Sequence, residues 1–181
     1  MNKVSKSVIA ALLVAIPAVE GLRYTVYKDQ GGVPTVCSGV TGANIKMGMT
    51  FTPEQCENMN LRAILSHTAP LEKLPHQLPD NVNIALGSWL YQYGETKFAS
   101  STMRKYFTQG RLRDGCDQIL RWRFTVVDNV KVDCSIKSSK CGGVWTRAQN
   151  NNALCTGKIT LDEYLKRIGA QPMRYDGDYT N

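Results

Sequence analysis

Thirteen consecutive uncharged residues, Ser7 to Val19, run straight into an acid, Glu20, and a glycine, Gly21. No other feature constrains the chain as much. The side chains of Val8, Ile9, Leu12, Leu13, Val14 and Ile16 must leave water, either into a protein core or into lipid. A helix that spans a bilayer needs about 20 apolar residues. This run is shorter and is diluted by alanines and Pro17. Its basic start, with Lys3 and Lys6, is that of an export segment. Three fates are open to it: a signal peptide cleaved at a poor site near Ala18, an export anchor that later leaves the bilayer, or a buried first helix. Where the segment stays, the Glu20 carboxyl emerges against hydrophobic side chains. Desolvation there disfavours the charged form, as a general acid at neutral pH requires.

The rest of the 181 residues suit one globular domain with a sizeable core. A net charge of +7 suits an anionic partner such as nucleic acid, anionic lipid or an acidic wall polymer. Lys and Arg are spread through the chain and no nucleic-acid motif is present, so no nucleic-acid partner is expected. Six cysteines, at 37, 56, 116, 134, 141 and 155, point to three disulfides and an oxidising compartment. No Cys-x-x-Cys pair exists, and His67 and His76 are not spaced as ligands with the cysteines, so no metal site is expected.

Two β-prone runs, Leu22–Tyr27 and Val33–Val40, flank Gln30-Gly31-Gly32 and predict a small hairpin sheet. Helix signals dominate afterwards. Thr52-Pro53-Glu54-Gln55 reads as a capping box opening a helix to about Ser66, and Pro70, Pro75 and Pro79 punctuate a loop. Asp80 caps an apolar helix closed by Gly94. Further helices are expected at Thr102–Thr108, around Cys116 to Trp122, and after a second capping box at Thr160. Val126 to Gly143 reads as an inserted loop whose Cys134 and Cys141 lie close enough to clip each other. The fold expected is α+β and mostly helical, with a small sheet near the N-terminus and a polar tail from residue 171.

Asp29 stands beside the Gly-rich turn, a wetter place where a carboxylate stays ionised. Two carboxyls whose surroundings push their protonation apart form the acid/base arrangement of glycosidases. If the turn is Gln30-Gly31-Gly32, Tyr27 opposes Thr35. Asp29 and Thr35 then share one face of the hairpin, where the hydroxyl can help the carboxylate hold a water.

The string Glu20-Gly21-Leu22-Arg23, Tyr27-Lys28-Asp29 and Pro34-Thr35 resembles the phage lysozyme family of glycoside hydrolases. The likeness continues through Val36-Cys37-Ser38-Gly39, Trp89-Leu90-Tyr91-Gln92-Tyr93-Gly94, Phe98-Ala99-Ser100-Ser101, Leu120-Arg121-Trp122 and Gly142 to Arg147. It implies a lysozyme-like fold: a small sheet lobe, a larger helical lobe and a substrate cleft between them. It also implies a muramidase that cuts the β-1,4 bond between N-acetylmuramic acid and N-acetylglucosamine in peptidoglycan, in the service of host lysis, without a cofactor. Carried over, Glu20 is the general acid. Asp29 positions or activates water, or stabilises the oxocarbenium-like state, with Thr35 assisting. Gln92, Ser101 and Arg147 fall at substrate-binding positions, Arg147 where it can approach Glu20. Val40 stands where the family carries a histidine, which touches a stabilising pair rather than the chemistry.

Cysteines 37, 56, 116 and 155 resemble those of the exported subset, some of which use a signal-anchor-release segment, and the pairing expected, one of fifteen, is Cys37–Cys56, Cys116–Cys155 and Cys134–Cys141. Residues 1–19 are then an export or anchor segment that becomes the first helix, with transient inner-membrane association on the way to the periplasm. Residues 20–170 form the catalytic domain of a monomer. Cleavage near Ala18 would leave Glu20 two residues from a free end, whereas a catalytic group needs fixed geometry. No cysteine lies in residues 1–36, so a thiol there cannot control activity by disulfide exchange. The rival reading is a lysozyme-like protein that binds the wall without turnover.

Overall fold

The computed structural model describes residues 1–29, 31–127 and 129–170. The expected polar tail, and Gln30 of the expected turn, lie outside the described residues. The apolar segment forms helix α1, Lys6–Glu20, with Ser5 capping its start by accepting from the Val8 N–H. It ends where the sequence predicts: Gly21 takes φ +80°, a left-handed conformation suited to glycine, and its N–H donates to Pro17 O. Val8, Ala11, Leu12, Leu13, Ala15 and Ile16 are buried, so the run leaves water into protein. The chain before it is also tied down. The Asn2 amide donates to Asn83 Oδ1 (2.8 Å) and Leu71 O, and its Oδ1 accepts from the Leu78 N–H.

A three-stranded antiparallel sheet follows, of β1 (Arg23–Lys28), β2 (Pro34–Cys37) and β3 (Val40–Thr41). Tyr27 pairs with Thr35, the register expected, and the Asp29 N–H donates to Val33 O. Helix α2, Pro53–Glu72, opens on the expected box, with Thr52 and Gln55 satisfying each other's backbone N–H groups. It runs past Ser66 and through Pro70, where a loop was expected. Proline removes the hydrogen bond to Ser66 O, but Ser66 is exposed and water can satisfy that carbonyl. Helix α3 is Asp80–Tyr93. Asp80 is its first residue and not its cap; the carboxylate instead accepts from the Ser5 and Ser7 hydroxyls and so holds the start of α1.

The remaining helices are α4 (Glu95–Ala99), α5 (Thr102–Thr108), α6 (Leu112–Asp117) with a 3₁₀ turn Gln118–Arg121, α7 (Gly142–Cys155) and α8 (Leu161–Arg167). The second capping box is half formed. Thr160 accepts from the Glu163 N–H, but the Glu163 carboxylate turns to Arg167. The expected loop from Val126 contains a hairpin, β4 (Phe124–Val127) with β5 (Val130–Asp133), whose base is pinned by Arg123 on Asp133 at 2.9 Å. Its β-branched residues flank Asn129 at φ +63°, a turn residue, which is why a hairpin forms where a plain loop is expected.

Two apolar cores divide the molecule. The larger gathers α1, α3, α5, α7 and α8 around Leu12, Ile16, Leu86, Trp89, Phe107 and Tyr164. The smaller lies behind the sheet and holds Val26, Val36, Cys37, Ile45 and Cys56. Helix α2 serves both, giving Cys56 to one and Ile64 and Leu71 to the other. The three disulfides pair as expected: Cys37–Cys56 ties β2 to α2, Cys116–Cys155 ties α6 to α7, and Cys134–Cys141 closes the segment after β5. Helix α1 crosses α3 closely at Gly87, where a Cβ would lie 2.6 Å from Leu12 Cδ1. That contact seats the helix whose last residue is Glu20.

Candidate active site

Glu20 lines a cavity of about 500 Å³ with Gln92 of α3, Arg147 and Asn150 of α7, and Arg167 and Ile168 at the end of α8. Its backbone lies open at the helix end, while its side chain is only 27% exposed. Arg147, with a side chain 10% exposed, forms an ion pair with it through Nη1. Nη2 of the same guanidinium donates to Ser88 O at 2.9 Å, which anchors the arginine to α3. Its Nε is buried with no acceptor among the described residues.

This setting corrects the expected one. Ala18, Val19, Val144 and Ile168 do supply apolar walls, but the carboxyl is paired and not isolated among them. The partner comes from 127 residues away in sequence, brought in by the packing of α7 on α3. No local pattern around Glu20 carries it. The likeness to the family had pointed to Arg147, and the structure places it in the cavity beside Glu20 and Gln92.

Asp29 and Thr35 stand on the sheet lobe. Asp29 is exposed; its Oδ1 accepts from the Val33 N–H at 2.8 Å, which closes the turn. Thr35 is buried, and its hydroxyl donates to Val33 O at 2.9 Å. What Thr35 can offer a water is therefore an acceptor lone pair, since its proton is committed. Ser101 lies elsewhere. It caps α5, accepting from the Arg104 N–H and donating to Phe98 O, and it lines a second cavity with Lys97, Arg121, Trp122, Phe124 and Lys131. The structure thus brings Glu20, Gln92 and Arg147 together in one cavity, ties Asp29 and Thr35 each to Val33 at the end of one hairpin, and gives Ser101 to a separate hollow.

Two further side chains, Tyr91 and His67, lie within electrostatic reach of Glu20. The Tyr91 ring packs against His67, with centroids 4.8 Å apart. Burial pushes the Tyr91 phenol up, and the Glu20 charge adds to this, with Arg147 opposing. Burial pushes His67 below the ordinary histidine range, against a backbone hydrogen bond at Leu90 and the charge on Glu20. Tyr91 belongs to the stretch Trp89 to Gly94 that resembles the family, but only helix packing reveals which way it faces. His67 had no local signal at all.

Helices in this order behind a short antiparallel sheet, with acid groups divided between the two parts, place the molecule among the lysozyme-type glycoside hydrolases. The model of the phage lysozyme family matches residues 17–136. The chain is 37% identical over 134 residues to a SAR-endolysin of Pseudomonas phage phiKMV, covering 73% of this chain and 82% of that relative. It is 36% identical over 123 residues to a SAR-endolysin of Enterobacteria phage P21, covering 64% of this chain and 73% of the relative. Among solved structures, an endolysin from Escherichia coli O157:H7 phage FAHEc1 superposes with a TM-score of 0.71 at 25% identity, over 87% of this chain and 95% of that one. The chain belongs to the phage lysozyme family.

Proposed function

We propose that this endolysin lyses its host by hydrolysing the β-1,4 bond between N-acetylmuramic acid and N-acetylglucosamine, with Glu20 as the proton donor. Glu20 protonates the glycosidic oxygen as its bond to the anomeric carbon breaks. Asp29, wet and held by its turn, faces the developing oxocarbenium-like charge and orients the attacking water, with Thr35 as an acceptor for that water. Arg147 orients the Glu20 carboxyl and, with Gln92, meets the sugar. Ser101 enters through the second hollow, alongside its role as a helix cap. The observation that carries this reading is an acid at a helix end, mostly covered, opening on a cavity large enough for sugar.

Residues 1–19 act twice, first in export and then as the first helix of the enzyme. Among the described residues no helix is long and apolar enough to cross a membrane. The face of α1 that would enter lipid is the face buried in the larger core. A membrane-held form and the folded enzyme therefore exclude each other, and the segment must leave the inner membrane whole before Glu20 is in place. The active species is a monomer in the periplasm.

The test is release of new reducing ends from purified peptidoglycan by the folded protein, with the end sugar identified by mass. Reducing N-acetylmuramic acid is expected. Tight adsorption with no release would instead establish the wall-binding reading. Intact mass in membrane and soluble fractions of producing cells is expected to show residues 1–19 retained in both; a soluble form shortened near Ala18 would contradict the anchor account.

A further inference from the structure

The two carboxyls sit on different lobes, and the direct covalent link between them is slight. Only Gly21 and Leu22 join α1 to β1; a Cβ at Gly21 would meet nothing within 4 Å, and Leu22 is 42% exposed. The separation of the two groups must therefore be set elsewhere. The turn after β2 is the candidate. Ser38 is fully buried there, next to the Cys37–Cys56 bridge. Its N–H donates to Asn60 Oδ1 at 3.2 Å, and its Oγ accepts from Asn60 Nδ2 at 3.1 Å, so α2 grips the turn through a buried amide. One bond comes from the helical lobe: Tyr91 Oη of α3 donates to Ser38 O at 2.9 Å. The Tyr91 ring rests on His67 of α2, and its phenol lies within the electrostatic reach of both Glu20 and Arg147.

We infer that Tyr91 is a positioning residue, a latch whose hydroxyl holds the Ser38 turn of the sheet lobe against the helical lobe and so fixes Asp29 relative to Glu20. The inference rests on the reading of these two acids as the working pair. Phenylalanine cannot latch, although it fills the same space against His67. Burial and the Glu20 charge keep the phenol protonated, so the donor persists wherever the enzyme works. A carboxyl displaced by about 1 Å can cost about a hundredfold in rate while leaving most of the substrate contacts intact.

Tyr91→Phe tests this with two readouts. Hydrolysis of peptidoglycan is expected to lose about tenfold or more in kcat with KM within about twofold. Spin labels on non-canonical residues replacing Lys28 and Lys166 are expected to show a broader distribution of inter-lobe distances than in the parent. Unchanged kcat, or lowered kcat with an unchanged distance distribution, would overturn the latch. Loss of hydrolysis in the parent would remove the catalytic reading, while the distance measurement would still report on the latch. Should Tyr91→Phe not fold, a fluorinated tyrosine at the same position keeps the ring and lets the donor be titrated away. Its kcat is expected to fall reversibly as that phenol ionises, and a flat profile would overturn the proposal.

Discussion

Glu20→Gln is expected to fold with a melting temperature within a few degrees of the parent and to release reducing ends at least about a hundredfold more slowly, the contribution of a general acid being about 10²–10⁴-fold. The amide keeps the shape of the acid and can still accept from Arg147, which also retains its bond to Ser88 O. The core face of α1 is untouched, since the buried residues end at Ile16. What the substitution removes is the proton. Because the carboxyl is paired with a guanidinium, donating a proton also requires the ion pair to give way when the acid is charged with one. In the proposed mechanism Arg147 therefore takes part in the acid's cycle of protonation as well as lining the cavity. Activity within about tenfold of the parent would take Glu20 out of the proton-donor role.

Reduction of the disulfides is the second large effect. In the chain-entropy account, a bridge closing a longer loop removes more freedom from the unfolded chain. Sequence separations of 39, 19 and 7 correspond to about 4, 3 and 2.5 kcal/mol for Cys116–Cys155, Cys37–Cys56 and Cys134–Cys141. Together these are comparable with the whole stability of a typical domain, about 5–15 kcal/mol. Calorimetry in strong reductant is expected to show the melting temperature lowered by about 20 °C or more, or no cooperative transition at all. Replacing Cys134 and Cys141 alone with serine is expected to cost the least, because that bridge spans the shortest loop and lies outside both cores. An unchanged melting curve in reductant would contradict the cross-linked state.

The parts of this fold that were legible in sequence are those set by short-range chemistry. The register Tyr27 to Thr35 follows from the length of one turn, the start of α2 from the reciprocal bonds of Thr52 and Gln55, and the ends of α1 and α3 from glycines at Gly21 and Gly94. Tertiary circumstance decided the rest. Pro70 does not break α2; the residue whose carbonyl it orphans, Ser66, is exposed, so water can take the place of the lost bond. Asp80 does not cap α3, because two serines of the N-terminal segment claim its carboxylate. Glu163 leaves its box for Arg167. Of the site, the acids and Gln92 could be placed from the likeness to a family. The burial of Arg147 against Ser88 and Glu20 and the Tyr91–Ser38 bond depend on elements that meet only after folding, whereas the donor commitment of Thr35 is local, to a carbonyl two residues away, and shows only once the strand's geometry is set.

In the proposed mechanism the sugar lies between an acid of the helical lobe and a carboxylate of the sheet lobe. A structure of the Glu20→Gln protein with a bound peptidoglycan fragment tests it most directly. The scissile oxygen is expected within hydrogen-bonding distance, about 3 Å, of the Gln side chain, with Asp29 at the far face of the ring. A glycan seated away from both residues would contradict it.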